Sequence, residues 1–142
     1  MNAHDPVNRP AHYMGADGLQ AIDVVEDWGL GAHLAAAFTY VIRAPRKGNM
    51  IEDCQKAIWY LERAQRDNVV ETLAIANAPF TIGILQVCVA FDVPRGELRD
   101  VILDIFQVAL MQMASNRQEA LSLATSRLQH WIRGLRPAEV AP

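Results

Sequence analysis

The chain has 142 residues, of which 51% are hydrophobic and 20% are charged, and its formal net charge at pH 7 is −3. The length predicts one domain with a buried core, and the high apolar content excludes a disordered chain. A net negative charge gives no general attraction to nucleic acid, so any anion-binding site has to be local. We therefore expect a single domain over residues 1–142 without a nucleic-acid partner.

The sequence predicts neither export nor membrane insertion. The N-terminal residues are polar and contain prolines, unlike a secretory signal. The uncharged run over residues 72–91 approaches the length of about 20 residues that spans a bilayer, but Pro79 and Gly83 interrupt it. Cys54 and Cys88 lie in apolar surroundings without metal-ligand spacing. These features predict a cytoplasmic protein with no membrane partner and with reduced, buried thiols.

The N-terminal part is predicted to be a loop followed by a short helix. Residues 1–18 contain prolines and glycines without a periodic pattern, and residues 19–28 have helical spacing up to Gly29. The residues predicted to face the core are Leu19, Ile22, Val25 and Trp28. Asp23 on the opposite face is a candidate ligand for Mg²⁺, which prefers oxygen ligands. A solvated acidic helix face is the commoner explanation of such a residue.

Two longer helical patterns follow, separated by Pro45 and Gly48, and they predict a helix–loop–helix. The first covers residues 33–43 and the second covers residues 50–67. In the second helix the residues predicted to be buried are Ile51, Cys54, Ile58 and Leu61. Trp59 and the tyrosine after it fall on the other side, where a soluble helix rarely carries two aromatic residues.

Three cations, Arg43, Arg46 and Lys47, lie in the predicted junction between these helices. Cations near the end of one helix and the free amides that open the next could together hold a phosphate. A solvated basic loop, whose charges complement the helix dipoles, explains the same residues. Both interpretations stay open at this point.

The C-terminal half carries further helical patterns. Residues 68–91 suit a buried helix or a strand, and the helical neighbourhood favours a helix. Another helix is predicted to begin at Pro94. The last helix is predicted to open with a capping box formed by Ser115 and Gln118 and to end at Gly134.

We therefore predict an all-α fold, a compact bundle of about five to six helices with an N-terminal loop segment. The helical extension over residues 68–134 carries more apolar face than a chain this short easily buries alone, which favours a homo-oligomer. Residues 135–142 are predicted to form a disordered tail.

Two ordered motifs stand out in the N-terminal half. The first is Asp-Pro-Val-Asn-x-Pro-x-His-Tyr at residues 5–13. The second, around the helix–loop–helix, reads Arg43-Ala44, Lys47-Gly48, Glu52-Asp53, Lys56-Ala57 and Trp59-Tyr60-Leu61. Over residues 4–66 the chain resembles a small family encoded mainly by phages. That family includes the nucleotide kinase of T7-like phages, which phosphorylates deoxynucleoside monophosphates without a P-loop.

The resemblance implies a nucleotide-binding protein of the phage type, acting in the host cytoplasm, whose basic helix–loop–helix holds the phosphate. If the protein is a P-loop-less deoxynucleoside monophosphate kinase, Asp53 and Lys56 are its candidate catalytic residues and Mg²⁺ is its cofactor. The residues expected to bind the nucleotide are Asn8, His12, Tyr13, Tyr40, Arg43, Arg46, Lys47 and Trp59.

Two departures from the family pattern leave turnover open. Ala36 and Thr39 occupy positions where the family usually has Asn and Lys. Phosphoryl transfer depends on cations that neutralise charge in the transition state, so the loss of a lysine affects catalysis more than binding. One alternative is a non-catalytic nucleotide binder that sequesters a host signalling nucleotide. The other is an oligomeric interaction protein whose Arg–Asp pairs are structural.

Overall fold

The computed structural model describes residues 15, 18–47, 49–67, 81–110 and 114–140, and these residues contain six helices and no strand. The helices are α1 (Ala21–Trp28), α2 (Ala32–Lys47), α3 (Met50–Asp67), α4 (Ile84–Ala90), α5 (Glu97–Leu110) and α6 (Ala114–Val140). The prediction of an all-α fold is confirmed. The predicted bounds of α3 are also confirmed.

Two pairs of helices enclose the core. α2 packs along α3, and α5 packs along α6. The pairs meet where α3 contacts α6 and α2 contacts α5, while α4 lies against α5. One apolar cluster fills the interior, and its largest fully buried side chains include Trp28, Phe38, Phe91, Leu34, Ile42 and Leu61. Each helix of the α2–α3 pair therefore keeps an outer side for other contacts.

Local motifs set both ends of α1. At its start Gln20 and Asp23 form a capping box, in which the Gln20 backbone N–H donates to the Asp23 carboxylate at 2.8 Å. At its end Gly29 has a φ of 65°, a left-handed conformation that favours glycine. Ile22 is 53% exposed, so the prediction that it faces the core is wrong. The buried residues of α1 are Ala21, Val24 and Trp28, so the prediction for Trp28 is confirmed.

The predicted loop after residue 43 is also wrong, because α2 continues through Pro45 to Lys47. A proline removes one backbone donor and disturbs the preceding turn of a helix. Here it lies in the last turn, and the fully buried Ala44 beside it anchors that turn in the core. The connection to α3 is therefore very short.

The buried side of α3 differs from the predicted one. Ile51 and Ile58 are only half-buried. The buried residues are Asp53, Cys54, Ala57, Leu61 and Ala64. Alanines allow two helices to approach closely. A buried face made of such small residues is therefore not indicated by the spacing of the large apolar residues.

The two cysteines are free and buried, as predicted. Burial raises the pKa of the Cys54 thiol to about 12, and the negative charge of Asp53 acts in the same direction. Burial also raises the pKa of Cys88, against the opposing charge of Arg99. Both thiols are therefore poor nucleophiles at neutral pH.

α5 begins at Glu97, three residues after the predicted start at Pro94. The turn before it needs left-handed backbone conformations, with φ of 53° at Asp92 and 109° at Gly96. A helix cannot contain these angles, so it starts only after them.

α6 starts earlier and ends later than predicted. It runs from Ala114 to Val140, so the predicted capping box at Ser115, the predicted end at Gly134 and the predicted disorder of residues 135–140 are wrong, while residues 141–142 lie outside the described range. Gly134 keeps helical backbone angles and therefore continues the helix. The Gln118 side chain donates to the backbone carbonyl of Gln65 at 3.0 Å, which ties α6 to α3.

Among the described residues, no helix combines the length and the apolar character needed to cross a membrane. Residues 72–80 of the uncharged run lie outside the described ranges. Within α4, Leu85 and Val89 are exposed and lie four residues apart on one face. Such a surface supports the predicted self-association, which stays a prediction.

Asp27 ties the end of α1 to the residues before α4. Its carboxylate accepts a hydrogen bond from the Thr81 hydroxyl at 2.6 Å and one from the Ile82 backbone N–H at 3.0 Å. Burial raises the pKa of Asp27, but these hydrogen bonds outweigh it and hold the pKa below its ordinary value. Because the folded-state pKa is depressed, the contribution to stability is present above the unfolded pKa of about 3.9 and is lost as pH falls through the folded value.

We expect Asp27→Ala to lower the free energy of unfolding by about 1.5 kcal/mol at pH 7, because the carboxylate loses three donors, the Thr81 hydroxyl and the backbone N–H groups of Thr81 and Ile82. The difference should shrink between pH 7 and pH 2, because the carboxyl group of the parent takes up a proton as the pH falls through its folded-state pKa. Urea denaturation at the two pH values measures both differences. The neighbouring Glu26→Ala, which changes an exposed residue, serves as the control. An equal loss at both pH values would contradict the assignment.

Candidate functional site

Aromatic rings from two helices meet on the outer side of the α2–α3 pair. Tyr40 of α2 stacks on Tyr60 of α3, with ring centroids 6.0 Å apart and an interplanar angle of 17°. His33 lies 6.3 Å from the Tyr60 ring, and Trp59 meets that ring edge-on at 4.9 Å. These four residues form one continuous patch, which we call the aromatic surface.

Two cations converge on the Tyr40 ring. The guanidinium carbon of Arg43 lies 5.4 Å from the ring centroid, and Nζ of Lys56 lies 5.5 Å from it. Both distances suit cation–π contacts. Because both cations are measured to one centroid, they are at most about 11 Å apart. One cation comes from α2 and the other from α3, so helix packing creates this arrangement.

A buried carboxylate holds Arg43 in place. Nε of Arg43 donates to Oδ2 of Asp53 at 3.3 Å. The side chain of Asp53 is 1% exposed, whereas that of Arg43 keeps 12% of its area exposed. Asp53 itself lies in the first turn of α3, where its backbone N–H donates to the Asn49 carbonyl at 2.9 Å. The guanidinium is thus fixed between a carboxylate and an aromatic ring.

Lys56 is held more loosely. Its Nζ lies 3.3 Å from a carboxylate oxygen of Glu52, four residues earlier on α3. Both side chains are more than 40% exposed. Exposed pairs of this type contribute only about 0.3–0.5 kcal/mol, so an incoming anion can displace Glu52.

A separate recess lies further along α3. It has a volume of about 210 Å³ and is lined by Trp59, Glu62, Arg63 and Arg66. The guanidinium carbon of Arg63 lies 5.2 Å from the centroid of the Trp59 ring. Trp59 is 54% exposed, which is unusual for the largest side chain in proteins. Trp59 also belongs to the aromatic surface through its contact with Tyr60, so the recess adjoins that surface.

The structure brings together three of the predicted site residues, Tyr40, Arg43 and Lys56. Asp53, a candidate catalytic residue, is directed at Arg43 and is buried. Asp23, the candidate Mg²⁺ ligand, caps the start of α1. No group of three or more His, Cys, Asp or Glu side chains that could hold a metal ion occurs within the part of the chain that the structure describes.

Several predicted ligand-binding residues lie outside the described part. Asn8, His12 and Tyr13 belong to the N-terminal segment that the structure does not describe. Arg46 and Lys47 occupy the last turn of α2, but their side chains are not described. Their predicted roles stay predictions.

Ala36 and Thr39, the two residues that depart from the family pattern, contact each other. The Thr39 hydroxyl donates to the Ala36 backbone carbonyl at 2.9 Å, one turn earlier on α2. The threonine thus bonds within its own helix, whereas a lysine at this position would extend a charge away from the backbone.

Three residues of this region were absent from the predicted ligand-binding set: Tyr60, Arg63 and Arg66. A signal for them is present in the sequence. They follow Lys56 by four, seven and ten residues, which places them on the same side of a helix.

The part of the chain that the structure describes has an all-helical fold with a cationic and aromatic surface on the α2–α3 pair. Residues 7–62 match the model of a family of proteins of unknown function, DUF3310. The match includes α1, α2 and most of α3, and its extent agrees with the range of 4–66 predicted from the two motifs. The description of that family names no activity. No curated protein and no solved structure matches the chain.

Proposed function

We propose that this protein binds a nucleotide through its phosphate group at the surface formed by Tyr40, Arg43 and Lys56. The observation that carries the proposal is the convergence of two cations, from two helices, on one tyrosine ring. We place the phosphate beside that ring, between the two cations, because charge-assisted hydrogen bonds to phosphate are roughly twice as strong as neutral ones. The adjoining rings of Tyr60 and His33 offer flat surface on which a base can stack.

The two cations have different parts in this proposal. Arg43 is preorganised, because the contact with Asp53 and the Tyr40 ring leaves its head group little freedom. A group that is ordered before binding loses less conformational entropy when the ligand arrives. Lys56 exchanges the weak contact with Glu52 for a contact with phosphate. The contribution of Lys56 to nucleotide affinity is therefore easier to measure than that of Arg43, because a substitution of Lys56 disturbs the fold less.

We infer binding without turnover as the function of this surface. A carboxylate that holds Mg²⁺ or takes a proton has to reach the ligand. The Asp53 carboxylate is instead buried against Arg43, so we assign it the positioning of that arginine. A protein that sequesters a signalling nucleotide would hold it through the same contacts with Tyr40, Arg43 and Lys56, without converting it to a product.

A thermal-shift screen over mono-, di-, tri- and cyclic nucleotides tests the binding. A ligand at about 100 times its dissociation constant stabilises a protein by about 2.7 kcal/mol, which such a screen detects. The affinity should fall as salt rises, since part of the attraction is screened. A screen in which no nucleotide stabilises the protein would refute the proposal.

We expect Lys56→Gln to weaken binding of the best nucleotide about ten- to a hundredfold, because one charge-assisted hydrogen bond is worth about 1.5–3 kcal/mol. Titration calorimetry measures the change. Arg133→Gln is the matched control, since it removes an exposed cation from α6. Equal affinities of parent and Lys56→Gln would place the phosphate elsewhere.

The same protein tests the kinase activity that the sequence resemblance implies. Purified parent is incubated with ATP, Mg²⁺ and each deoxynucleoside monophosphate, and the diphosphate product is measured. We expect no product above a buffer control, although the nucleotide binds. Product that appears with the parent and disappears with Lys56→Gln would replace the non-catalytic proposal by a kinase.

A further inference from the structure

Four side chains of α3 continue the proposed phosphate site along the helix. Lys56, Trp59, Arg63 and Arg66 fall within an arc of about 80° when successive residues are placed 100° apart. The last three line the recess, together with Glu62. At a rise of about 1.5 Å per residue, Lys56 and Arg66 are about 15 Å apart along the axis. We call this row of three cations and one indole the α3 stripe.

The length of the α3 stripe exceeds what one nucleotide can cover. A nucleic-acid strand advances about 3.4 Å per nucleotide when its bases are stacked, so 15 Å corresponds to about four nucleotides. A mononucleotide whose phosphate contacts Arg43 and Lys56 therefore does not reach Arg66 at the far end of the recess. The combination of cations that follow a backbone and an exposed aromatic ring is typical of surfaces that bind single strands.

We propose that the α3 stripe is a second subsite, and that the ligand is a short linear oligonucleotide of about two to four nucleotides. This inference rests on the proposed phosphate site. One base stacks on the open part of the Trp59 ring, whose other contacts are with Arg63 and Tyr60. The next phosphate lies against Arg63 and Arg66. The net charge of −3 disfavours long nucleic acids, whereas a ligand with few phosphates meets only this local row of cations.

The test compares thymidine 5′-monophosphate with linear dT dimers and tetramers. We expect the parent to bind the tetramer at least tenfold more tightly than the monophosphate, and binding of the tetramer to quench the exposed Trp59 fluorescence. Trp59→Ala should weaken tetramer binding about ten- to a hundredfold, the usual value of one base–aromatic stack. Arg66→Ala should leave monophosphate binding unchanged, because Arg66 lies about 15 Å from Lys56 along the helix axis. Because Trp59 and Arg66 are exposed, neither substitution should lower the melting temperature.

Two further variants test the electrostatics of the recess. Arg66→Ala should reduce the slope of log affinity against log salt by about 0.7, the value for one phosphate of a single strand. Glu62→Gln should tighten tetramer binding two- to threefold, because a carboxylate in the recess repels phosphates. Glu119→Gln, an exposed acid on α6, is the matched control and should change nothing.

The outcomes separate this inference from the proposed function. Equal affinities for monophosphate and tetramer, with loss of both in Lys56→Gln, would overturn the second subsite and leave the phosphate site standing. Tetramer binding that Trp59→Ala does not alter would also overturn it. If neither ligand binds the parent, the second subsite is overturned, and the thermal-shift screen decides separately on the phosphate site.

Discussion

Trp28→Ala is expected to lower the free energy of unfolding by about 3–5 kcal/mol, the usual loss for a large aromatic residue removed from a core. Trp28 is fully buried at the end of α1. Its ring packs edge-on against Phe38 of α2 at 5.5 Å and against Phe106 of α5 at 4.8 Å. One side chain thus joins three helices, and small domains have only about 5–15 kcal/mol of stability in total.

Part of the stability lost in Trp28→Ala comes from a hydrogen bond of the indole. Nε1 of Trp28 donates to the backbone carbonyl of Ile82 at 2.8 Å. Trp28→Phe keeps most of the apolar contact but leaves that carbonyl without its donor, so we expect a loss of about 1–3 kcal/mol. The difference between the two variants separates packing from hydrogen bonding.

Urea denaturation followed by circular dichroism gives both values. Trp59→Ala is the matched control, because it removes the same side chain from an exposed position and should change stability by less than about 0.5 kcal/mol. Similar stabilities of Trp28→Ala and Trp59→Ala would contradict the central position of Trp28.

The helices themselves were largely predictable. The pattern of α3 is amphipathic and bounded by strong breakers, and its predicted bounds match the structure. The wrong predictions followed a conspicuous residue, a proline or a large apolar side chain, where a small buried alanine beside it determines the structure. Pro45 predicted a loop, although burial of Ala44 keeps the turn helical. Ile22 was assigned to the core because of its size, although Ala21 occupies that position.

The candidate site was predictable as a list of residues but not as an arrangement. The sequence places Arg43 and Asp53 ten residues apart on two helices, and nothing in their spacing shows that they contact each other. The same holds for Asp104 and Arg127, whose 2.5 Å contact joins α5 to α6. Such pairs depend on how two helices pack, which periodicity does not determine.

The contact between Arg43 and Asp53 leads to the second prediction. We expect Asp53→Ala to destabilise the protein by about 1.5–3 kcal/mol, because it removes the carboxylate that accepts a charge-assisted hydrogen bond from Nε of Arg43. Asp53→Asn should lose less, since its side-chain oxygen can still accept a hydrogen bond from Nε. Urea denaturation measures both losses. Glu52→Gln, which breaks the exposed pair with Lys56, should change stability by no more than about 0.5 kcal/mol.

A double variant separates the structural part of this pair from its part in binding. Replacement of a buried ion pair by apolar residues of similar size is often neutral or stabilising, so Arg43→Met with Asp53→Leu should recover most of the lost stability. It should not recover nucleotide binding, because the preorganised cation is gone. A stable double variant that binds nucleotides as the parent does would show that Arg43 serves only the fold. A stable double variant with at least tenfold weaker binding, measured by calorimetry, would show that the buried carboxylate positions a ligand-binding arginine.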